Sequence, residues 1–419
     1  MDYSSSLDYL YALQHFGIKL GLENTRRLLE SLDNPQRKLR IVHIAGTNGK
    51  GSTAAALEQV LRSLGFSTGL YTSPHLHSFT ERIRINNRSI SEAEVVRQTQ
   101  EIRACGAEII PTFFEFTTVM ALRVFAEQKV DWVILETGLG GRLDSTNVVC
   151  PALCIITPVA LDHAAHLGET LTLIAREKAG IIKDAVQLIC ARQQPEVAEV
   201  LRQVAQHKQA PLLLAGRDFS WDLPPLPFGF HGRSLEIPEL ESGLPGVYQR
   251  ENISLALAAV EQLLPAELLD LKLIRGAVAE LRWPGRLEWV GDILLDGAHN
   301  PHAALGLAEF LAQENLQGLL WVVAVKGDKD VTGILTPLFP HVEQVFSAPL
   351  KAEPSASAPN ILEIARQNGV SGEVFCNLED ALMKAIRVRK SGQKILVAGS
   401  LFLVAQLREQ CLHLSGVGI

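Results

Sequence analysis

In Val42-His43-Ile44-Ala45-Gly46-Thr47-Asn48-Gly49-Lys50-Gly51-Ser52-Thr53 an apolar strand pattern runs straight into a glycine-rich turn that carries a lysine. Leu57, Val60, Leu61 and Leu64 then recur at helical spacing and stop at Gly65, a residue suited to a helix C-terminus. Strand, glycine turn and helix in that order form an anion cradle. The glycines let backbone N–H groups turn inward, the helix points its positive end at the anion, and the lysine supplies a mobile charge. The spacing departs from the general phosphate-loop pattern: only two residues separate Gly46 from Gly49, and Gly51 stands where Ser or Thr would follow the lysine. The hydroxyl therefore arrives one place late, at Ser52. A glycine-rich connection without a ligand has little use for Gly-Lys-Gly-Ser.

Short apolar runs at 40–45, 69–72, 130–136, 153–157, 187–191 and 211–215 alternate with helical patterns, which predicts a mostly parallel sheet covered on both faces. Between about 217 and 247, prolines and glycines separate short strand patterns such as 233–237, so a small antiparallel element is expected there. Helical periodicity returns at 252–264 and 271–281 until Trp283-Pro284-Gly285-Arg286 interrupts it. The expected division is a phosphate-loop domain over 1–282, a linker at 283–288 and a second domain over 289–419. In the latter, strands at 293–296, 319–325, 344–348, 373–376 and 394–398 alternate with helices at 303–313, 360–367 and 379–388. That is the pattern of a smaller doubly wound α/β domain, and no glycine fingerprint after its first strand supports dinucleotide binding.

A chain of 419 residues is too long for one core. Its 47% hydrophobic and 20% charged content is that of an ordinary globular protein, and a net charge of −7 argues against a nucleic-acid surface. The start Met-Asp-Tyr-Ser-Ser-Ser has neither a basic nor an apolar leader region, and no apolar run is long enough to span a membrane, so a cytoplasmic location is expected. Cys105, Cys150, Cys154, Cys190, Cys376 and Cys411 form no Cys-x-x-Cys pair and are read as buried free thiols.

Several residues could carry chemistry. Glu136 ends the run Val130 to Leu135, and an acid at the carboxyl end of a strand beside a phosphate loop is well placed to hold Mg²⁺. The glycine-rich stretch Thr137 to Asn147 that follows, with Arg142 and Asp144, reads as a binding loop. Leu161-Asp162-His163 and Asp296-Gly297-Ala298-His299-Asn300-Pro301 repeat one grammar of polar residues after a strand, in the first and second domains respectively, which suggests a site in the cleft between them.

With these residues in hand, the chain resembles the bacterial folylpolyglutamate synthases and dihydrofolate synthases, the bifunctional kind within the Mur ligase superfamily. The resemblance spans nearly the whole length. It rests on Gly46 to Ser52, Thr72-Ser-Pro-His75 with Glu81-Arg82-Ile83, Thr112 to Glu115, Glu136 to Asp144, Leu161 to His163, Glu177-Lys-Ala-Gly-Ile181, Pro284-Gly-Arg286, Asp296 to Asn300, and Asp328-Lys-Asp330, all in family order. The displaced hydroxyl is how this family's loop is written.

The resemblance implies an ATP-dependent ligase in which a carboxylate attacks the γ-phosphate and the amine of L-glutamate then opens the acyl phosphate to an amide. Its substrates would be dihydropteroate or folates, its cofactors ATP and two Mg²⁺ ions, with a monovalent cation left open. A monomer without nucleic-acid or membrane partners is expected. By the same resemblance Gly46, Thr47, Asn48, Gly49, Lys50, Gly51 and Ser52 hold the phosphates, while Asn252, Arg286 and Asp296 contact the nucleotide. Ser73, Glu136 and His163 match the metal ligands, and Lys178 matches a lysine carried as a carbamate that supports a second metal. His299 falls by the γ-phosphate or the incoming glutamate. Thr112, Phe113, Phe114, Glu115, Asp144 and Ser145, with Arg82 from its own motif, match the substrate side, where an aromatic face and a carboxylate suit a flat heterocycle with amino donors. Lys19-Leu20-Gly21-Leu22 resembles another stretch of that side. Two departures stand out: Ser145 where the family often has Thr or Ala, and Lys326 intruding before Asp328. The nearest rival is a Mur-type cell-wall amino-acid ligase, which usually has Thr directly after the loop lysine and an extra amino-terminal domain. A phosphate-loop switch acting on a protein partner is a rival of another class, and it would leave Asp296 to Asn300 idle.

Overall fold

The structure, a computed structural model, describes residues 1–17, 21–223, 227–351 and 353–416. It divides into two compact units, one formed by 1–160, 167–243 and 249–281 and the other by 161–166, 244–248 and 282–419. Nothing in the sequence pattern signals that Leu161–His166 and Leu244–Tyr248 pack with the second unit. Lys19 and Leu20 lie outside the described residues.

The first unit is built on an eight-stranded sheet. Its strands are β1 (Ile41–Ala45), β2 (Thr68–Tyr71), β3 (Ile83–Ile85), β4 (Arg88–Ser89), β5 (Trp132–Glu136), β6 (Leu153–Ile156), β7 (Gln187–Cys190) and β8 (Leu212–Leu214). They are arranged in the order β4-β3-β2-β5-β1-β6-β7-β8. From β2 to β8 all neighbours run parallel, and the hairpin strands β3 and β4 extend the β2 edge in antiparallel fashion. Parallel strands covered on both faces have no wet side, which is why all five residues of β1 and of β5 are buried. Parallel running also places the segments that follow β1, β2, β5 and β6 at one edge of the sheet. Those segments hold the phosphate loop, Ser73, the glycine-rich loop and Thr157.

The expected antiparallel element is a three-stranded sheet of β9 (Ser220–Trp221), β10 (Phe228–His231) and β11 (Glu236–Leu240), ordered β11-β10-β9. The sequence reading assigned no particular helix before β1 or between β4 and β5, where Tyr3–Ala12, Glu23–Glu30, Glu92–Cys105 and Phe113–Gln128 are helical. The last of these starts from a capping box. The Thr112 hydroxyl accepts the Glu115 N–H at 3.2 Å, and the Glu115 carboxylate accepts the Thr112 N–H at 2.7 Å. Its apolar side joins Leu10, Leu28, Phe79, Val133 and Leu135 in the first unit's core. Burial of a side chain such as Phe116 or Phe125 there stabilises the fold by about 1.5–3 kcal/mol.

The second unit contains β12 (Glu288–Val290), β13 (Ile293–Asp296), β14 (Leu319–Val323), β15 (Val342–Ser347), β16 (Ser371–Val374) and β17 (Ile395–Ala398), in the order β12-β13-β17-β14-β15-β16. All neighbours are parallel except β12 with β13. At its core Trp321 is fully buried, and its indole N–H donates to the Ala398 carbonyl at 3.1 Å, which satisfies the one polar atom of that ring.

The cysteines correct the sequence reading in part. All six are free, but only Cys154, Cys190 and Cys411 are buried, whereas Cys105 at a helix end and Cys150 and Cys376 in connecting segments are exposed. Among the described residues no helix is long and apolar enough to cross a membrane.

Gly69 in β2 marks a tight contact, because a Cβ there would lie 2.5 Å from the Phe125 ring. Gly69→Val is expected to destabilise the first unit by about 1–3 kcal/mol through overpacking. A urea titration of the purified chain would show it as a lower midpoint, and an unchanged midpoint would rule the close contact out.

Candidate active site

The turn after β1 owes its shape to its glycines. Gly46 has φ +152°, and a Cβ at that position would sit 1.8 Å from the Thr157 hydroxyl oxygen. Gly49, with φ +88°, is the residue before the Lys50–Ser63 helix and packs against the Asn252 side chain, whose Oδ1 would be 2.2 Å from an added Cβ. The Thr47 and Asn48 N–H groups donate to the Pro158 carbonyl at 2.9 and 3.3 Å. Thr47 also exchanges two side-chain hydrogen bonds with Ala160, each of 3.0 Å. These two residues, expected to hold phosphate through their amides, thus tie the loop to the segment after β6. The amides that open the helix at Lys50, Gly51 and Ser52 come before its first intrahelical bond, from Thr53 N to Gly49 O, and so lie at the end of the helix that favours an anion.

Two lysines meet at one carbonyl. Lys50 Nζ donates to Gly46 O at 3.2 Å and to Thr47 O at 3.1 Å, and Lys178 Nζ donates to Gly46 O at 2.6 Å. Lys178 is buried in the last turn of the Leu171–Ala179 helix.

At the end of β5 the buried Glu136 carboxylate accepts the Ser73 N–H at 3.1 Å. A carboxylate with a serine beside it offers hard oxygen donors, which fit Mg²⁺. As an ammonium donating to Gly46 O, Lys178 fits a metal only after conversion to a carbamate. His163 belongs to the second unit and has a positive φ of +52°. Among the described residues no group of three or more His, Cys, Asp or Glu side chains could hold a metal ion.

Following Ser73, the turn at 75–78 is organised by Glu81, which accepts the N–H groups of Leu76, His77 and Ser78 at 2.9–3.0 Å. Burial acts to raise this carboxyl, but the three amides outweigh it and hold it below its usual value. Arg82 is buried, donates from Nε to His75 Nδ1 at 2.8 Å, and lies 5.0 Å above the Phe113 ring. Burial lowers its guanidinium, and burial together with the Arg82 charge pushes His75 down to about 4.

The loop from Thr137 to Asn147 closes around Asp144. Its Oδ2 accepts the Leu139 N–H at 2.8 Å, and its Oδ1 accepts the Thr146 N–H at 3.0 Å and the Thr146 hydroxyl at 2.5 Å. Burial raises the Asp144 carboxyl against these bonds. The Thr146 hydroxyl also lies 2.8 Å from Nε2 of His43, which is completely buried in β1. Burial, reinforced by the Lys183 charge, pushes that imidazole down to about 3. On its other flank the loop leans on the helix that carries Lys178. Arg142 N donates to Glu177 O at 2.7 Å, and a Cβ on Gly141 would be 2.9 Å from the Lys178 carbonyl.

Asp296 organises the second unit's polar segment. Buried, it accepts the Leu287 and Ala298 N–H groups at 3.0 and 2.8 Å, and burial raises its carboxyl against the opposing charge of Arg286. The Arg286 guanidinium lies against Gly297, where a Cβ would come within 2.1 Å. Asp162 gathers Lys329 Nζ at 2.5 Å, Asn300 Nδ2 at 3.1 Å and His299 Nε2 at 3.5 Å. Burial acts to raise this carboxyl, but the His299 hydrogen bond and the charges of His163, His299 and Lys329 prevail and hold it well below the usual range. Lys326 pairs with Glu353 at 3.1 Å and sits 5.7 Å from the Phe402 ring, so its charge is answered locally.

Known proteins of this architecture are similar to it in sequence. The Mur ligase middle domain family matches residues 44–260, and the dihydrofolate synthetase C-terminal domain family matches residues 288–410. A dihydrofolate synthase/folylpolyglutamate synthase of Bacillus subtilis is 33% identical over 97% of this chain and 99% of its own length. The protein of that name from Escherichia coli is 35% identical over 97% and 94%. The chain belongs to the dihydrofolate synthase/folylpolyglutamate synthase family. Solved structures of the family agree. Escherichia coli FolC in complex with DHPP and ADP superposes with a TM-score of 0.90 at 32% identity, covering 98% of this chain and 97% of that one. The Mycobacterium tuberculosis folylpolyglutamate synthase complexed with ADP and AMPPCP gives 0.91 at 32% identity, with 98% and 99% covered. The enzyme is thus an ATP-dependent ligase that adds glutamate in folate metabolism, and its relation to the Mur ligases is one of superfamily.

Within this family member the first unit brings Gly46, Gly49, Lys50, Lys178 and Asn252 together around the phosphate loop. Thr112 and Glu115, expected on the substrate side, form the capping box, and Phe113 sits in the core between Tyr11 and Phe79. Phe114 is only partly buried and lies against Gly138 of the glycine-rich loop, so it is the aromatic residue of the pair that reaches that loop. Ser145 is buried beside Asp144 at the start of a short 3₁₀ turn. Sequence reasoning passed over His43 and gave Thr146, Asp162 and Lys329 no roles. The signal for His43 was present: it is the one polar residue inside the apolar run Ile41 to Ala45, and a polar group there needs a partner.

Gly49→Ala tests the loop geometry, since the new Cβ meets both a positive φ and the Asn252 amide. Affinity for ADP measured by calorimetry is expected to fall about tenfold or more, alongside a loss of stability of about 1–3 kcal/mol from the strained backbone. Unaltered ADP affinity would count against this loop as the phosphate site.

Proposed function

We propose that the nucleotide's β- and γ-phosphates lie against the helix-opening amides of Lys50, Gly51 and Ser52, with the Lys50 ammonium turned from its carbonyl contacts onto the γ-phosphate. The observation that carries this reading is the convergence of Lys50 and Lys178 on the Gly46 carbonyl, which holds the two nitrogens within about 6 Å of each other. At an effective dielectric of about 20, like charges at that distance repel by about 3 kcal/mol, a cost that a bound anion removes. Carbamylation of Lys178 would remove it too, by turning one cation into an anion.

In the reaction a carboxylate oxygen of the pteroate or folate attacks the γ-phosphorus in line. The bond to the β,γ-bridging oxygen breaks, and ADP departs with that oxygen. The neutral α-amine of glutamate then attacks the acyl carbon, phosphate leaves with the electron pair of the C–O bond, and loss of the amine proton completes the amide. Such a transfer asks the protein mainly to position reactants and neutralise charge. Mg²⁺ would be held by Ser73, Glu136 and His163 and would supply charge neutralisation at the phosphate oxygens, with a carbamate on Lys178 as the support for a second ion.

Asn252, Arg286 and Asp296 are assigned to the nucleotide and His299 to the γ-phosphate or the incoming glutamate. Phe114, Arg82, Asp144 and Ser145 are assigned to the pterin side. There Thr112, Phe113 and Glu115 shape the wall through the helix start they form. Dihydropteroate and folylpolyglutamates are both proposed as acceptors, with the enzyme a cytoplasmic monomer.

Lys50→Ala is expected to lower ATP-dependent glutamate ligation by about a thousandfold or more while the far-UV spectrum stays unchanged. Mass analysis of products made with dihydropteroate or tetrahydrofolate reads the outcome, and retained ligation would refute the phosphate role. Lys178→Ala is expected to be inactive, and bicarbonate should not restore it. A fully active variant would dismiss the carbamate.

A further inference from the structure

We propose that His43 is a positioning residue: as the neutral Nε2–H tautomer it donates to Thr146, Thr146 donates to Asp144, and the chain holds the 137–147 loop in its substrate-receiving shape. The proposal rests on the reading of that loop as the pterin side.

The direction of the chain follows from counting donors. The Thr146 hydroxyl has one proton, and with Asp144 ionised the 2.5 Å bond to its Oδ1 uses that proton. The oxygen facing His43 Nε2 at 2.8 Å is then an acceptor, so the imidazole must be the donor. Nδ1 of His43 is buried and has no hydrogen-bond partner among the described residues, as expected of the unprotonated nitrogen of a neutral ring. A second donor on that nitrogen would be stranded in the core.

Geometry also says why the chain bears on the loop rather than on β1. His43 lies on the central strand, paired with Leu135 on one side and Cys154 on the other, and is fixed by the sheet. The loop has no sheet of its own. Its shape depends on Asp144, whose two oxygens accept the Leu139 and Thr146 N–H groups, and on Asn147, which donates to the Arg142 and Gly180 carbonyls at 3.0 Å each. The imidazole thus anchors to the rigid strand the one carboxylate around which the loop closes. Without its donor the Thr146 hydroxyl keeps one partner fewer, and Asp144 loses the polarised hydrogen bond that helps to hold a buried carboxylate ionised. Gly138, against which Phe114 packs, lies next to Leu139, so a shift of Asp144 reaches the aromatic wall directly.

The test combines a tautomer measurement with kinetics on the full-length enzyme. Histidine labelled with ¹⁵N, with the His43 signals identified by their loss in His43→Asn, is expected to show a protonated Nε2 and a bare Nδ1 at neutral pH. A protonated Nδ1 would overturn the proposal. Thr146→Val keeps the volume and removes the hydroxyl. It is expected to raise KM for dihydropteroate roughly tenfold, the worth of a hydrogen bond to a charged group, with KM for ATP within about twofold. Thr146→Ser should restore the wild-type value. Equal changes in both KM values, or none, would also overturn it. Amide hydrogen exchange over 137–147 should quicken in the valine variant and not in the serine variant. If the wild-type enzyme failed to join glutamate to any pteroate, the assignment of the loop would fall, while the tautomer and exchange measurements would still decide the role of His43.

Discussion

The carbonyl of Gly46 is the point on which the site turns. Because β6 runs beside β1, Thr157 crowds the Cα of residue 46 so closely that only glycine fits, and the backbone there takes a φ of +152°. That conformation sends the carbonyl toward Lys50 on the following helix and Lys178 on a helix far along the chain. Two cations at one oxygen create a local positive field in a protein whose net charge is −7. In the proposed function it is this local arrangement, and not the protein's overall charge, that would attract a polyphosphate.

In each unit a carboxylate, buried or half-buried, shapes backbone that has no regular partner. Glu81 holds the turn after Ser73, Asp144 the glycine-rich loop, Asp296 the segment leading to His299, and Glu115 the start of a helix. Loops at the end of a sheet carry amides that no ladder satisfies, and an acid folded back into them supplies the acceptors at about 1.5–3 kcal/mol for each charged hydrogen bond. The same economy explains opposite titration behaviour. Asp144 and Asp296 are raised because burial outweighs their partners, whereas Asp162 is held low because cations crowd it. Glu81 shares the low side with Asp162, since the amides it accepts outweigh its partial burial.

The start of the Phe113–Gln128 helix illustrates how one residue type can serve two ends. The family resemblance leads to an expectation that Thr112 and Glu115 face a heterocycle, yet their side chains are bonded to each other's backbone across the first helical turn. In the proposed function their contribution to a ligand would run through the direction of the Phe113–Gln128 helix, which presents Phe114 to Gly138. His43 belongs to the same class of influence, acting on the loop from beneath.

Much of this was legible along the chain. Period-two and period-3.6 patterns, with glycines at their junctions, were enough for the parallel sheet, the antiparallel insert and the second α/β unit, because hydrophobic burial imposes those periods locally. The phosphate loop was legible for a related reason: a turn needing positive φ leaves glycine as the ready choice. Other features depended on which segments meet. That Thr47 and Asn48 spend their amides on Pro158, that Leu161–His166 joins the second unit, and that three of the six cysteines are exposed are consequences of packing between residues far apart in sequence. Local pattern determined the elements and the glycine-built turn. Only the tertiary structure decided which buried polar groups became partners, since a hydrogen bond between His43 and Thr146 needs two strands and a loop already in place before either side chain can find the other.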